Sequence, residues 1–463
     1  MTQAEASGSF GRDVPRVLLV NPWICDFAAY DFWAKPLGLL SLAAFLKKSG
    51  LAVSYIDCLD RFHPGASKTD PSARNGRGPY LKTPIPSPRG LEDVPRTYSR
   101  YGVLPEWLRE DLLNMPRPDL ILVTSLMTYW YPGVAETISA IRQIFPYAPV
   151  VLGGIYATLC PEHARRTSGA DEVFTGPGEE DIFNLVERHT GFSPDRRFDS
   201  KNPDDWPYPA LELQREINYA PILTARGCPF SCAYCASRFL TPRHIRRSAE
   251  SVLDEIALRH KDQDVLDFAL YDDAFLVNSE NHAAPILEEI IRSGYRLRFH
   301  TPNALHIREI TPITAKLMFD AGFETIRLGL ETTAFDDRNN LDAKVRAEEF
   351  IRAVTSLKAA GFERNRIGAY LLVGLPGQDM AAVSESIAMV RQSGITPIPA
   401  YYTPIPHTAL WEEAVKSSRY DLEADPVFSN NAILPCRKEG FSWKVISRLK
   451  SLCAGSCDEY AGS

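Results

Sequence analysis

The chain has 463 residues, 45% of them hydrophobic and 24% charged, which is too long for one hydrophobic core and too apolar for a disordered protein. Its 51 Lys and Arg against 58 Asp and Glu give a net charge of −7, which excludes the basic field that holds nucleic acid by its phosphates. The N-terminal residues carry no apolar signal segment, and no apolar stretch reaches the roughly 20 residues that cross a bilayer. We therefore expect a cytoplasmic protein with a small-molecule or peptide substrate, no nucleic-acid partner and no membrane span.

Residues 14–192 alternate short β-branched runs with runs of helical period, which is typical of βα units around a parallel sheet. The pattern predicts a doubly wound, Rossmann-like domain of five strands. Residues 62–118 interrupt it and are rich in Pro, Gly and Arg, so we interpret them as an extended insertion that covers a ligand or is partly disordered. The predicted strands are 17–20, 53–57, 120–124, 150–152 and 172–174.

A linker at 193–217 precedes a second series of βα units over 218–415, and 416–463 form a C-terminal tail. Six β/α repeats in this series predict a partial, TIM-like (β/α)6 barrel. By analogy with complete barrels, functional groups should gather at the carboxyl ends of its strands. The predicted strands are 221–225, 266–271, 297–301, 325–330, 367–373 and 397–402.

Three of the nine cysteines, Cys228, Cys232 and Cys235, stand close together just after the first strand of the second series. At about 2% cysteine, a Cys-x3-Cys-x2-Cys spacing is expected by chance roughly 0.003 times in this length. Thiolates at this spacing can curl round one soft metal centre, which favours an iron–sulfur cluster with one iron left open to a ligand. A structural zinc site completed by a distant residue, or three unconnected core cysteines, are the alternatives.

At this motif the chain resembles the radical S-adenosylmethionine (SAM) superfamily, over about 218–413. The resemblance implies that Cys228, Cys232 and Cys235 bind a [4Fe-4S] cluster whose unique iron chelates SAM. An electron from the cluster, delivered by a donor such as flavodoxin or ferredoxin, would then cleave SAM to methionine and a 5′-deoxyadenosyl radical. The barrel would keep this radical away from water while it takes a hydrogen atom from the substrate.

The resemblance also carries over further SAM contacts, from an aromatic residue before the last cysteine to polar and glycine residues at four later strand ends. The second strand ends in two acids where the family often has a Gly-Gly-Glu-like segment, so this position departs from the pattern. A plain strand-end or turn role is the alternative at each of these strand ends. The matching positions are Tyr234, Asp272, Asp273, Asn303, Glu331 and Gly374.

The N-terminal domain resembles the cobalamin-binding domain that precedes many radical SAM barrels, through small residues that follow its strands. Such residues would admit a corrin ring or its nucleotide tail, and tight βα turns are the alternative. The loop at 21–26 lacks the Asp-x-His-x-x-Gly motif, so bound cobalamin would have no protein imidazole ligand, or the domain has lost the cofactor. We interpret His63 as a solvated residue. The matching positions are Gly38, Gly153, Gly154, Thr158 and Gly176.

These features predict a radical SAM enzyme that binds SAM, a [4Fe-4S] cluster and cobalamin and that methylates an unactivated carbon. A radical SAM rearrangement, cyclisation or oxidation without cobalamin methyl transfer is the first alternative. A non-catalytic iron–sulfur or zinc interaction protein is the second. Cys436, Cys453 and Cys457 in the tail either hold an auxiliary cluster or are small buried residues.

Overall fold

The computed structural model describes residues 14–195, 198–199, 201–336, 341–342 and 345–455. It contains two parallel sheets, one of five strands and one of six, each flanked by helices. This confirms the predicted fold class of a Rossmann-like domain followed by a partial barrel. No helix in the described part of the chain is long and apolar enough to span a membrane.

The N-terminal sheet has the strand order β3-β1-β6-β7-β8, and all four neighbouring pairs are parallel. The central strands β1 and β6 are buried, apart from the exposed Arg16 at the start of β1, because helices cover both faces of the sheet. The strands are β1 (Arg16–Asn21), β3 (Ala52–Asp57), β6 (Leu120–Val123), β7 (Val150–Leu152) and β8 (Glu172–Val173). The helices are α1 (Leu37–Lys48), α3 (Tyr131–Ile144), α4 (Ile155–Leu159), α5 (Pro161–Thr167) and α6 (Ile182–Thr190).

The insertion at 62–118 contains more regular secondary structure than its sequence indicates. Strands β2 (Ile24–Asp26), β4 (Lys82–Pro84) and β5 (Ser99–Tyr101) form an antiparallel sheet in the order β2-β5-β4. Helix α2 (Pro105–Leu113) follows and buries Leu108 and Leu112 in the core of the N-terminal domain.

The second sheet has the order β16-β15-β14-β13-β12-β9, so each strand lies beside the next along the chain in an open (β/α)6 barrel. Helix starts follow local capping: Ser248 accepts from the Ser251 N–H before α8, and Thr311 and Thr314 form a capping box before α10. The strands are β9 (Ala220–Ile222), β12 (Asp267–Leu270), β13 (Arg298–His300), β14 (Phe323–Glu331), β15 (Ile367–Val373) and β16 (Thr396–Tyr401). The helices are α8 (Ala249–Gln263), α9 (Ala283–Ser293), α10 (Pro312–Asp320), α11 (Ala347–Ala360) and α12 (Met380–Gln392).

Short elements complete the second domain. Strands β10 (Ala225–Arg226) and β11 (Ile245–Arg246) pair antiparallel and enclose α7 (Ser237–Leu240). After β16, α13 (Trp411–Ser417) crosses from the barrel into the tail and precedes α14 (Trp443–Ala454), which packs on α12 and β16.

The two domains are joined by contacts of the segment that follows β2. The indole of Trp33 stacks on the imidazole of His300, with ring centres 4.4 Å apart. The Tyr219 hydroxyl donates to Asp31 Oδ1 at 3.0 Å, and the Tyr271 hydroxyl donates to the Trp33 carbonyl at 2.6 Å. The N-terminal domain therefore covers the β9 and β12 side of the open barrel.

Candidate functional site

The three-cysteine loop lies between β10 and α7, just after the first barrel strand. Gly227 begins it at φ +78°, where an added Cβ would lie 2.6 Å from the Arg243 carbonyl oxygen, so only glycine fits this turn. The Ala233 N–H donates to the Leu341 carbonyl, and the Leu410 N–H donates to the Ala233 carbonyl, both at 2.9 Å. Backbone hydrogen bonds from two other loops thus fix the middle of the cysteine loop.

The three thiols differ in exposure: Cys232 is buried, Cys228 half-buried and Cys235 exposed. The Cys235 sulfur accepts from the Ser237 N–H at 3.4 Å, and the Cys228 sulfur lies 3.8 Å from Nε2 of His306. Among the residues that the structure describes, no group of three or more His, Cys, Asp or Glu side chains is close enough together to hold a metal ion. Three thiols within one loop can bind three irons of a four-iron cluster and leave the fourth iron open, so the residues fit the group, and their role as ligands remains a prediction.

Tyr234 links the cysteine loop to the end of β14. Its hydroxyl forms a hydrogen bond with the Glu331 carboxylate, and burial together with that carboxylate raises the pKa of Tyr234 far above its ordinary value. Glu331 is buried and has φ +63°, a strained conformation for a residue with a side chain. The register of β14 against β15 shifts at this residue. Such strain at a strand end is typical of a functional site.

The two acids after β12 have different roles. Asp272 is buried and accepts from the backbone N–H groups of Thr224 and Ala225, at 3.1 and 2.7 Å, which ties β12 to the start of the cysteine loop. Burial raises the pKa of Asp272 to about 6. Asp273 instead lines a cavity beside Ser237, with which it forms a hydrogen bond. Asp273 is therefore the acid of this pair that is available to a ligand.

Asn303 and Gly374 complete the predicted SAM contacts. The Asn303 amide donates to the Tyr271 carbonyl at 2.8 Å and so bridges the ends of β12 and β13. Gly374 has φ +89°, and its N–H donates to Gln378 Oε1 at 2.7 Å. Both residues hold strand ends in place. This structural role is the alternative to cofactor contact at these two positions.

All five residues matched to the cobalamin domain line one cavity of about 480 Å³, here called the glycine cavity. An added Cβ at Gly38, Gly153 or Gly176 would have no atom of the described residues within 4 Å, so these positions leave room for a ligand. Gly154 is different, because its Cβ would lie 2.3 Å from the Ser125 carbonyl oxygen. Thr158 links two of these glycines, because its hydroxyl donates to the Gly154 carbonyl at 2.8 Å and accepts from the Gly176 N–H at 3.0 Å.

The second domain supplies the other wall of the glycine cavity, through Arg226, Ser237 and Asp273. Arg226 Nη2 lies 2.5 Å from Oε1 of Glu179, which belongs to the loop after β8. This ion pair connects a glycine-rich loop of the N-terminal domain to the residue that directly precedes the cysteine loop. This ion pair could not be predicted from the sequence, because two opposite charges 47 positions apart form no local pattern.

The loop after β1 continues into β2 and carries no histidine. Trp23 is buried and donates to the Val103 carbonyl at 2.8 Å. Trp33, Trp130 and Tyr131 likewise make packing and hydrogen-bond contacts outside the glycine cavity. The expectation that His63 is solvated is wrong, since its ring is buried and stacks on the neighbouring Trp107 at 4.8 Å.

The tail cysteines pack in separate places. Cys436 is buried in a cluster with Tyr402 and Leu422, whereas Cys453 packs against the barrel core. Cys457 lies outside the described residues. The described pair therefore has the contacts expected of small buried side chains.

Comparison with known proteins agrees with this geometry. The radical SAM superfamily matches residues 222–390, and the B12 binding domain family matches 108–186. An uncharacterized methyltransferase of Pyrococcus horikoshii is 24% identical over 331 residues, which cover 65% of this chain and 70% of that protein. The anaerobic magnesium-protoporphyrin IX monomethyl ester cyclase of Rubrivivax gelatinosus is 24% identical over 348 residues, 66% of this chain and 60% of the cyclase.

Among solved structures, the radical SAM methyltransferase TsrM from Kitasatospora setae, with cobalamin and a [4Fe-4S] cluster bound, has the same fold. The TM-score is 0.63 at 18% identity, and the match covers 91% of this chain and 82% of TsrM. The two family matches fall on the two sheets that meet at the glycine cavity. The chain therefore contains a radical SAM domain, matched over 222–390, and a B12-binding domain, matched over 108–186, in front of it.

Proposed function

We propose that this protein is a cobalamin-dependent radical SAM methyltransferase that methylates an unactivated carbon of a small molecule or peptide. The observation that carries the proposal is the shared cavity: small residues of the B12-binding domain form one wall, and residues flanking the cysteine loop form the other. A ligand held by the glycines would face the cysteine loop directly. Both TsrM and the Pyrococcus relative are named as methyltransferases, which supports methyl transfer.

In this proposal Cys228, Cys232 and Cys235 hold the cluster, and Asp273 accepts from the SAM ammonium. When bound, the cluster supplies the electron that cleaves SAM, and cobalamin carries the methyl group. Gly38, Gly153 and Gly176 leave space for the corrin, and apolar side chains along the same cavity exclude water. These side chains are Leu39, Leu42, Ile155, Phe174 and Ile182.

The other predicted contacts position these groups. Tyr234 and Glu331 fix the cysteine loop against β14, Asp272 fixes its start, and Asn303 holds the neighbouring strand ends. We further propose that the reaction takes place in the cytoplasm with a flavodoxin or ferredoxin as electron donor.

An anaerobic reconstitution tests the proposal. The full chain is loaded with iron, sulfide and hydroxocobalamin, and iron and cobalt per chain are measured before SAM and reductant are added. We expect 5′-deoxyadenosine and transfer of labelled methyl from SAM to bound cobalt. Cys232→Ala should lose iron and 5′-deoxyadenosine, whereas Cys160→Ala, a half-buried cysteine outside the loop, should keep both.

The possible results distinguish the proposed methyltransferase from the two alternative functions. Undiminished 5′-deoxyadenosine in Cys232→Ala, or none in the wild type, would contradict the enzyme assignment and favour a non-catalytic iron–sulfur or zinc protein. SAM cleavage without cobalt uptake would instead favour rearrangement, cyclisation or oxidation. The similarity to the Rubrivivax cyclase is the observation that supports this second candidate.

A further inference from the structure

A second cavity, of about 200 Å³, lies at the carboxyl ends of β1 and β3, and none of the described residues lines both it and the glycine cavity. Asn21 and Asp57 reach it from the two strand ends, and the start of the insertion and the linker complete its walls. A water-sized position takes roughly 10–15 Å³, so this cavity has room for roughly a dozen heavy atoms. We call it the charged cavity because three basic and five acidic side chains line it: Lys35, Arg61, Arg215, Asp31, Asp57, Asp60, Asp111 and Glu216.

Lys35 presents an ammonium to the charged cavity without a carboxylate partner. Its Nζ donates to Gln214 Oε1 at 2.9 Å and lies 4.7 Å from the ring centre of Tyr219. Burial lowers the pKa of Lys35 to about 8. Within the described ranges no carboxylate oxygen lies within 4 Å of this nitrogen, the limit for an ion pair. The positive charge is therefore held by neutral groups only.

Asp57, at the end of β3, brings a negative charge to the same cavity. Its Oδ1 accepts from Asn21 Nδ2 at 2.7 Å and from the Leu59 N–H at 2.9 Å. Burial raises the pKa of Asp57 to about 6, so removal from water costs this carboxylate free energy that its hydrogen bonds do not recover. Within the part of the chain that the structure describes, no cationic nitrogen lies within 4 Å of it.

Arg61 supplies an unused donor. Its side chain is only 7% exposed, and its buried Nη1 has no hydrogen-bond partner within the described residues. Nη1 forms an ion pair with Oδ2 of Asp31 at 3.7 Å, a distance too long for a hydrogen bond. A buried guanidinium nitrogen without an acceptor is costly, so this group indicates a missing ligand atom.

We propose that the charged cavity binds a small α-amino acid, whose ammonium pairs with Asp57 and whose carboxylate accepts from Lys35 and Arg61. A ligand with only a positive charge would leave Lys35 without a carboxylate partner and Arg61 Nη1 without a hydrogen-bond acceptor. A ligand with only a negative charge would leave Asp57 unpaired. A zwitterion with both groups in one molecule of about ten heavy atoms compensates all three.

Arg215 marks the side of the charged cavity that faces solvent. Its side chain is 40% exposed and bridges Asp60 at 2.8 Å and Asp111 at 2.9 Å. Because these three residues are paired with one another, they need no ligand. The amino acid would enter past them and bind at Asp57, Lys35 and the Nη1 donor of Arg61. This site lies apart from the cysteine loop, so its occupation does not depend on the proposed methyl transfer.

Isothermal titration calorimetry on the full chain tests the proposal, without added iron, cobalamin or SAM. The probes are glycine, L-serine and L-methionine, which differ in size, with acetate and ethylamine as single-charge controls. We expect at least one amino acid to bind with a dissociation constant below about 1 mM, and neither control to bind at that concentration. N-acetyl-L-serine and L-serine methyl ester each lack one charge and should bind at least tenfold more weakly than L-serine.

Variants assign the binding to this cavity. Asp57→Asn and Lys35→Met should each weaken amino-acid binding at least tenfold. Glu162→Gln, an equivalent change at an exposed ion pair elsewhere, should leave the affinity unchanged. The proposal is overturned if no amino acid binds at up to about 10 mM, if acetate or ethylamine binds equally well, or if Asp57→Asn binds normally. If Asp57→Asn fails to fold, the blocked serine derivatives decide on the wild type.

Discussion

The ion pair between Arg226 and Glu179 should couple the B12-binding domain to the cysteine loop. The two charges lie 2.5 Å apart, and their side chains are 21% and 7% exposed. Glu179→Gln leaves the Arg226 guanidinium with Trp206, whose ring centre is 4.8 Å away, as its other strong contact. Removal of one partner of a fully buried pair costs about 3–5 kcal/mol. Because solvent screens the partly exposed Arg226, we expect a loss of about 2 kcal/mol.

Two measurements check this expectation. Thermal unfolding of the full chain should shift to lower temperature in Glu179→Gln, and cobalamin should bind up to about thirtyfold more weakly if the loss falls on the bound state. Glu180→Gln is the matched control, since the neighbouring Glu180 pairs with Arg243 in an exposed contact in which the two side chains are 47% and 73% exposed. That change should cost less than about 1 kcal/mol.

A double-mutant cycle decides whether the effect belongs to the pair. Glu179→Gln, Arg226→Gln and the double variant should give a coupling free energy of at least about 1 kcal/mol, with the double variant less damaged than the sum of the singles. Additive effects within about 0.5 kcal/mol would refute the coupling. Equal losses in Glu179→Gln and Glu180→Gln would also refute it, because they would report a general charge effect.

The remaining predictions concern the two cavities and the cysteine loop. Gly153→Leu should fill the glycine cavity and abolish cobalt uptake without changing thermal stability, whereas Gly154→Ala should lower stability because its Cβ meets backbone at 2.3 Å. Tyr234→Phe removes the hydrogen bond to the buried Glu331 and should destabilise the cysteine loop by about 2 kcal/mol, seen as faster amide exchange at 228–236. Because burial raises the pKa of Asp57 to about 6 in the folded chain, the free energy of unfolding should be higher below about pH 4 and should fall as the pH rises through 6. Asp57→Asn should remove up to about 3 kcal/mol of this pH dependence, as measured by unfolding across that range. An unchanged pH profile in Asp57→Asn would contradict the stated cause of the shift.

The features that could be predicted from the sequence are those that depend on a local pattern of residues. Apolar strands bounded by turn residues identified both parallel sheets, and glycines after strands identified the wall of the glycine cavity. The antiparallel sheet of the insertion was missed because its register joins Ile24 to Tyr101, and no local periodicity reports so distant a pairing. Helix α2 was missed because a nine-residue helix with two buried leucines gives a weak periodic signal.

The chemistry of single residues was harder to predict. Asp272 was matched to a SAM contact by position alone, but its hydrogen-bond donors come from Thr224 and Ala225, nearly fifty positions earlier. The charged cavity was missed for the same reason, since Lys35 comes from the segment before α1, Asp57 from the end of β3 and Arg61 from the loop after β3. A sequence indicates which residue types end each strand, whereas their partners depend on the tertiary structure.

The stacking of Trp33 on His300 has a consequence for how the chain can be divided. A fragment that ends in the linker would expose Trp33, and the corresponding barrel fragment would expose His300 and Tyr219, all of which are buried in the intact chain. Replacement of a buried tryptophan by a small residue costs about 3–5 kcal/mol, and each separated half would bear a penalty of this kind. The two halves should therefore depend on each other to fold, and exchange of one half for that of a relative should succeed only when the segment around Trp33 is exchanged with the barrel that receives it.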